Sequence, residues 1–315
     1  MELATGFDTC MLPSAPLLRL NDAPATPTAL AADNIVDYPL PVFLAVLGAA
    51  ALHATWNAWV HGGSNPLLHT AALVIWTGVI AVPVALVLPM PNPASWPWLG
   101  LSIAIHLVYY VTLARAYTNG ALSVVYPIMR GGAPLLVSLG TWVALGESLS
   151  SAGWLGVLLV SLGVLAIAFK AQLKKARSAI GWAVACSLTI ATYTVVDGQG
   201  ARLSQNALSF AAWLFILESI VFTALLVMVG QGKALAQYMR ARMTATAMGG
   251  LLSAAGYAIV LWALTQAPMA MVSATRETSV LFAALLGVWL LKERLTPRQW
   301  AGAFVIVLGL ITLRL

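Results

Sequence analysis

Charge is scarce in this chain of 315 residues: 8% are Asp, Glu, Lys or Arg, while 61% are hydrophobic. Mean hydropathy is +0.90. A soluble domain carries about 25% charged residues. So few polar groups cannot cover the surface of a soluble fold, which places the chain in a membrane. Cysteine is equally sparse. Cys10 and Cys186 offer neither a disulfide framework nor metal-ligand spacing, so no metal is expected. Catalytic signatures are missing too: there is no phosphate-cradling Walker loop, and no GxSxG, HExxH or CxxC. That excludes ATP hydrolysis by the chain itself, and neither an enzyme activity nor a cofactor is expected. The alternation of apolar and polar residues that a membrane β-barrel needs is also absent.

Long apolar runs are what the sequence does have. A bilayer-spanning helix needs about 20 of them in succession. Ten runs follow residue 40, at about 41–60, 67–89, 96–117, 121–145, 152–170, 179–197, 207–229, 244–265, 268–291 and 298–314. The expected fold class is an all-α integral membrane protein with about ten transmembrane helices. Residues 1–38 differ in composition, with Pro13, Pro16, Pro24 and Pro27 among Asp8, Asp22, Asp33 and Asp37. No basic stretch precedes a short apolar core there, so they read as a disordered tail and not a signal peptide.

The runs repeat. GALSVVYPIMRGGAPLLVSLGTWVALGESLSSAGWLGVLLVSLG (120–163) lies without a gap over QAPMAMVSATRETSVLFAALLGVWLLKERLTPRQWAGAFVIVLG (266–309). Arg130 falls on Arg276, Glu147 on Glu293, Trp154 on Trp300, Gly156 on Gly302 and Gly163 on Gly309, each pair 146 residues apart. Earlier in each half the offset is 137: Thr55 falls on Thr192, Trp56 on Tyr193 and Trp76 on Trp213. The nine extra residues of the second half fit the polar stretch 231–242. The chain therefore divides into a first five-helix repeat at 39–170, a basic linker at 171–178 and a second repeat at 179–315. Five is odd, so if every helix crosses, the halves enter the membrane from opposite sides. Inverted repeats of this kind build secondary transporters, with the substrate site at the repeat interface near mid-depth.

Arg130 and Arg276 stand about nine residues into their runs, about 14 Å at 1.5 Å per residue, near the middle of a ~30 Å core. An arginine there costs roughly 2.5–3.5 kcal/mol on the mildest scale. Two retained at matched positions point to use, although a structural ion pair is the competing reading. Around Arg130, Pro127, Pro134, Gly131 and Gly132 weaken the helix, which predicts an interrupted, cavity-lining segment. Glu277 can pair with Arg130 across the bundle or serve as a titrating group in proton coupling. Helices one and six present His53, Trp56 and Asn57, and Tyr193, Thr194 and Asp197; polar groups inside a bundle face its interior. His53 and Asn57 share a face, and a plain helix–helix hydrogen bond would also explain them. Tyr126, His106, Tyr109, Tyr110, Tyr257 and Trp262 complete the candidates for a pocket lining. Glu218 stands alone in helix seven, unexplained. Gly156 and Gly163, and Gly302 and Gly309, are seven apart on one face and suit close helix packing.

Net charge is +6. In a membrane protein this reflects loop charge, not a nucleic-acid partner. Most basic residues fall on one side (Arg115, Lys170, Lys174, Lys175, Arg177, Lys233, Arg240, Lys292, Arg294), against Arg19, Arg202 and Arg314 on the other. By the positive-inside rule the termini would lie outside.

HATWNAW in helix one, the LGESLS and LKERLT elements after helices four and nine, and the WxGxxxxxxxG pattern of helices five and ten resemble the EamA branch of the drug/metabolite transporter superfamily. The resemblance covers about 41–315. It implies a ten-helix carrier of the inner (plasma) membrane that exports amino acids, other metabolites or drugs, uncoupled or proton-coupled, with a central cavity lined by helices one, three, four, six, eight and nine. It also implies cytoplasmic termini, opposite to the loop count, so orientation stays open. The HATWN stretch further resembles a subgroup associated with phosphonate-utilisation genes. The expected function is secondary transport by alternating access. Two guanidinium groups suit an anionic or zwitterionic small molecule such as an amino acid, organic acid or phosphonate. The substrate-binding set is Arg130, Arg276, Glu277, His53, Trp56, Asn57, Tyr109, Tyr110, Tyr126, Tyr193 and Tyr257. The competing classes are a non-transporting multi-pass protein, such as a lipid-substrate enzyme or partner subunit, and a channel. With both halves in one chain, a monomer suffices.

Overall fold

The structure is a computed structural model, and it describes residues 38–60, 65–120, 122–168, 177–292 and 294–315. Among these residues the only regular elements are helices: α1 (Leu40–Val60), α2 (Pro66–Val87), α3 (Trp96–Asn119), α4 (Leu122–Leu145), α5 (Ser151–Ala168), α6 (Arg177–Leu203), α7 (Ala207–Met228), α8 (Gly232–Ala241), α9 (Met243–Gln266), α10 (Met269–Arg276), α11 (Ser279–Leu291) and α12 (Pro297–Thr312), with one 3₁₀ turn at Pro93–Ser95. Among the described residues seven spans are long and apolar enough to cross a membrane, and three shorter apolar helices accompany them. The all-α, multi-pass membrane architecture expected from the sequence is what the chain adopts. The ninth apolar run supplies two helices, α10 and α11, and α8 is an additional short helix.

Local chemistry sets the helix ends. Asn65 accepts from Leu68 N at 3.2 Å ahead of Pro66, and Asn206 accepts from Ser209 N at 3.0 Å, each satisfying an orphan amide at a helix start. Thr296 and Gln299 form a reciprocal capping box at α12, again with proline in the first turn. α8 lies within the stretch that carries the extra residues of the second half. It buries Leu235 and holds Tyr238 against His69 of α2, with the phenol oxygen 3.0 Å from Nδ1.

The two repeats meet as inverted copies. The seven-residue glycine pairs of α5 and α12 face one another in opposite order. A Cβ on Gly156 would lie 3.0 Å from the Gly309 carbonyl oxygen, and one on Gly163 would lie 2.8 Å from that of Gly302. Equivalent residues thus cross-pair, as two antiparallel copies require, and only glycine permits backbones this close. The same exchange relates other contacts: α3 packs on α6 as α1 packs on α9, and α2 packs on α7. At the ends of the fold, Arg314 donates to the Tyr38 carbonyl, which puts residues 38 and 314 on one face, consistent with an even number of crossings.

Three sequence expectations need correction or bounding. The interrupted helix is not α4, which runs unbroken from Leu122 to Leu145 through Pro127 and Pro134. Its glycines serve contact instead: a Cβ on Gly131 would lie 2.9 Å from Leu165 Cγ, and one on Gly132 2.7 Å from Ser187 Oγ. The break falls in the matching helix of the other half, between α10 and α11. Residues 1–37, the linker lysines Lys170, Lys174 and Lys175, and Glu293 lie outside the described residues; Tyr38 is buried, and Arg177 already belongs to α6.

Candidate functional site

Arg276 ends α10, and Glu277 and Thr278 form the break before α11. Across it the amides of Glu277, Thr278 and Val280 bond three residues back, to Ala274, Thr275 and Glu277, each at 3.1 Å. This is a 3₁₀ tightening inside a helix, a feature that often marks a functional hinge. It turns neighbouring side chains to different places. Arg276 faces a central cavity, whereas Glu277 points behind it and has no exposed surface.

Glu277 joins the two repeat-matched arginines into one unit. Its Oε2 lies 2.7 Å from Arg130 Nε, and its Oε1 lies 3.6 Å from Arg276 Nε. Both guanidinium groups are themselves buried, at 8% and 6% exposure for Arg130 and Arg276. Arg130 Nη2 also approaches Ser279 Oγ at 3.5 Å. One carboxylate between two guanidinium groups leaves the cluster with a surplus positive charge. The geometry is not saturated either: Nη2 of Arg276 is buried and has no hydrogen-bond partner among the described residues. An unpaired buried donor on a charged group costs upward of about 1–3 kcal/mol.

The cavity beside this cluster holds about 220 Å³. Drug-sized pockets run about 300–1,000 Å³, so in this conformation the space suits a smaller molecule. Arg130, Arg276, His53, Trp56, Tyr109, Tyr110, Tyr193 and Tyr257, all singled out in the sequence, line it. Three candidates stand apart. Glu277 and Tyr126 are not part of the lining, Tyr126 packing instead into the surrounding core, and the Asn57 side chain lies outside the described residues. The aromatic wall is tightly knit: His106 stacks on Tyr193 with ring centres 4.3 Å apart, and Tyr109 meets Tyr193 edge-on at 5.6 Å.

The structure adds α2 and α7 to the walls, through Thr70, Leu73, Val74 and Thr77 and through Phe215 and Glu218. Glu218, unexplained in the sequence, accepts a 2.5 Å hydrogen bond from Tyr110 and is 6% exposed. A carboxylate inside an apolar run was itself the signal that could have placed it in a cavity. Asp197 makes a second such pair, accepting from Tyr257 at 2.5 Å, but does not reach the lining. No group of three or more His, Cys, Asp or Glu with metal-site geometry occurs among the described residues.

Glu147, which falls on Glu293 in the internal repeat, has a different task. Glu147 pairs with Arg202 of α6, and its Oε2 accepts from the Met269 amide at 3.2 Å, at the start of α10. Arg202 also donates to the Leu264 carbonyl at 2.9 Å and to that of Ala267 at 3.2 Å. This clamp ties the ends of α4, α6 and α9 to the half-helix that carries Arg276.

Fold and cavity together define a multi-pass membrane protein of two inverted halves around a small, charged, aromatic-walled site. Residues 177–315 match the EamA-like transporter family, in keeping with the resemblance read from the motifs. A relative from Bacillus subtilis (strain 168), described as the uncharacterized transporter YwfM, is 23% identical over 220 residues, 70% of this chain and 73% of its own length. A solved crystal structure, titled only as that of a protein, shares the fold with a TM-score of 0.70 at 17% identity, over 87% of this chain and 98% of its own. Both sequence matches are to proteins described as transporters.

Proposed function

We propose that the chain is a secondary transporter of the inner (plasma) membrane that moves a small anionic or zwitterionic metabolite by alternating access, in the direction of export. The observation that carries this reading is Arg276: a guanidinium only 6% exposed that lines the central cavity and shares a single carboxylate with Arg130. A carboxylate or phosphonate in that cavity meets the guanidinium's charge with the planar, two-pronged geometry that arginine favours. Arg130, already held by Glu277, positions the cluster and adds field. The site lies between inverted halves, where rocking of one half against the other exposes it to each side in turn. In this reading Glu277 is a fixed ion-pair partner and not the proton carrier, and the molecule works as a monomer without cofactor or enzymatic step.

Reconstitution into liposomes tests it. Loaded with unlabelled amino acids, organic acids or phosphonates, vesicles carrying the protein are expected to show saturable counterflow of the labelled compound, lost in Arg276→Ala. Ohmic conductance without saturation would mean a channel, and no flux for any anionic or zwitterionic compound would mean a non-transporting membrane protein.

A further inference from the structure

The cavity carries a second pole. Among its described lining residues Glu218 is the one acidic side chain, since Glu277 and Asp197 lie behind the surface. It stands on α7, while Arg276, the arginine that shares Glu277 with Arg130, stands on α10. No Lys, Arg or His nitrogen lies within 4 Å of its carboxylate among the described residues. It accepts a hydrogen bond from the neutral Tyr110 hydroxyl. A carboxylate offers about four lone-pair sites, so a single hydroxyl leaves most of its capacity unused.

We infer that Glu218 forms a subsite for a cationic group, so that the substrate is a zwitterion bearing an ammonium at Glu218 and an acid group at Arg276. This rests on the transport reading above and sharpens it. The physical reason is balance. A plain anion would compensate Arg276 and leave Glu218 without a counter-charge in a low-dielectric space; a plain cation would do the reverse. An ammonium has three donors and no acceptor. Tyr109 and Tyr193 line the same cavity, where an aromatic ring can add cation–π attraction. At about 220 Å³ the cavity admits both groups only on a compact skeleton.

The test uses the purified full-length chain and direct titration with amino acids and aminoalkylphosphonates. Each is run beside its des-amino acid, which keeps the anion, and the matching primary amine, which keeps the cation. The native chain is expected to bind one zwitterion at least about ten-fold more tightly than either partner, the scale of one charge-assisted hydrogen bond. Glu218→Gln is expected to erase the margin over the des-amino acid by weakening the zwitterion and not the acid. Glu218→Asp, which keeps the charge and guards against a folding failure, is expected to retain part of the margin. Equal native affinity for zwitterion and des-amino acid, both lost in Arg276→Ala, would overturn the cationic subsite and leave the transport reading standing. A margin that survives Glu218→Gln would overturn Glu218 as its source. Failure of every anionic and zwitterionic compound to bind would remove both inferences together.

Discussion

Glu277 Oε2 lies 2.7 Å from Arg130 Nε, an ion pair between the two halves of the chain at the point where the ninth span breaks. Neither half contains the site alone: Arg130 comes from the first repeat, Glu277 and Arg276 from the second. Any motion of one half against the other has to work through this contact.

Removing one member of a buried pair strands the other. Glu277→Gln is expected to destabilise the protein by about 3–5 kcal/mol, because two buried guanidinium groups then face each other without a carboxylate. Arg130→Ala is expected to cost a comparable amount, and the double variant less than the sum of the two. Thermal unfolding of the four proteins in one detergent checks the cycle.

The α5–α12 crossing makes a sharper packing prediction. Gly163→Ala puts a Cβ 2.8 Å from the Gly302 carbonyl oxygen, a backbone atom that cannot swing aside. A loss of about 1–3 kcal/mol is expected, the usual scale of overpacking. Gly48→Ala, with nothing within 4 Å of the added carbon, serves as the control and is expected to be neutral or slightly stabilising. Melting curves of the two variants side by side read the difference.

Glu147 accepts the first amide of α10. Glu147→Ala is therefore expected to speed hydrogen exchange at Met269 and to loosen α10, with little effect at the capped start of α12. Arg202→Ala is expected to give the same pattern, with a stability loss of about 1–3 kcal/mol as the Leu264 and Ala267 carbonyls lose their donor. Peptide-resolved exchange in detergent measures both.

Much of this was legible beforehand. Ten apolar runs, the 146-residue match of Arg130 to Arg276 and the glycine spacing together gave the spans, the inversion and the close crossing. What failed was the position of the break. Proline and glycine around Arg130 looked like a weak helix, but a helix surrounded by protein and lipid has no water to take its freed groups, and Gly131 and Gly132 are used for contact. The break came where a sequence with no proline, ATRETS, has to send Arg276 and Glu277 to different neighbours. Glu218 was visible as a residue but not as a site, because its meaning depends on Tyr110 across the bundle and on which face of α7 meets the cavity. Helix periodicity in a uniformly apolar run carries no such information. Glu147 and Glu293 shared an alignment position, yet only the fold could assign Glu147 to a helix start in the other half.

The central claim is that Arg276 receives the acid group of the substrate. Its most direct test is titration of native protein, Arg276→Ala and Arg276→Lys with the same acid-bearing ligands, beside the unfolding temperature of each unliganded protein. The account expects a ligand that stabilises the native chain, little or no stabilisation of Arg276→Ala, and partial recovery in Arg276→Lys, which restores the charge without the fork. An acid that binds Arg276→Ala as tightly as native would contradict it.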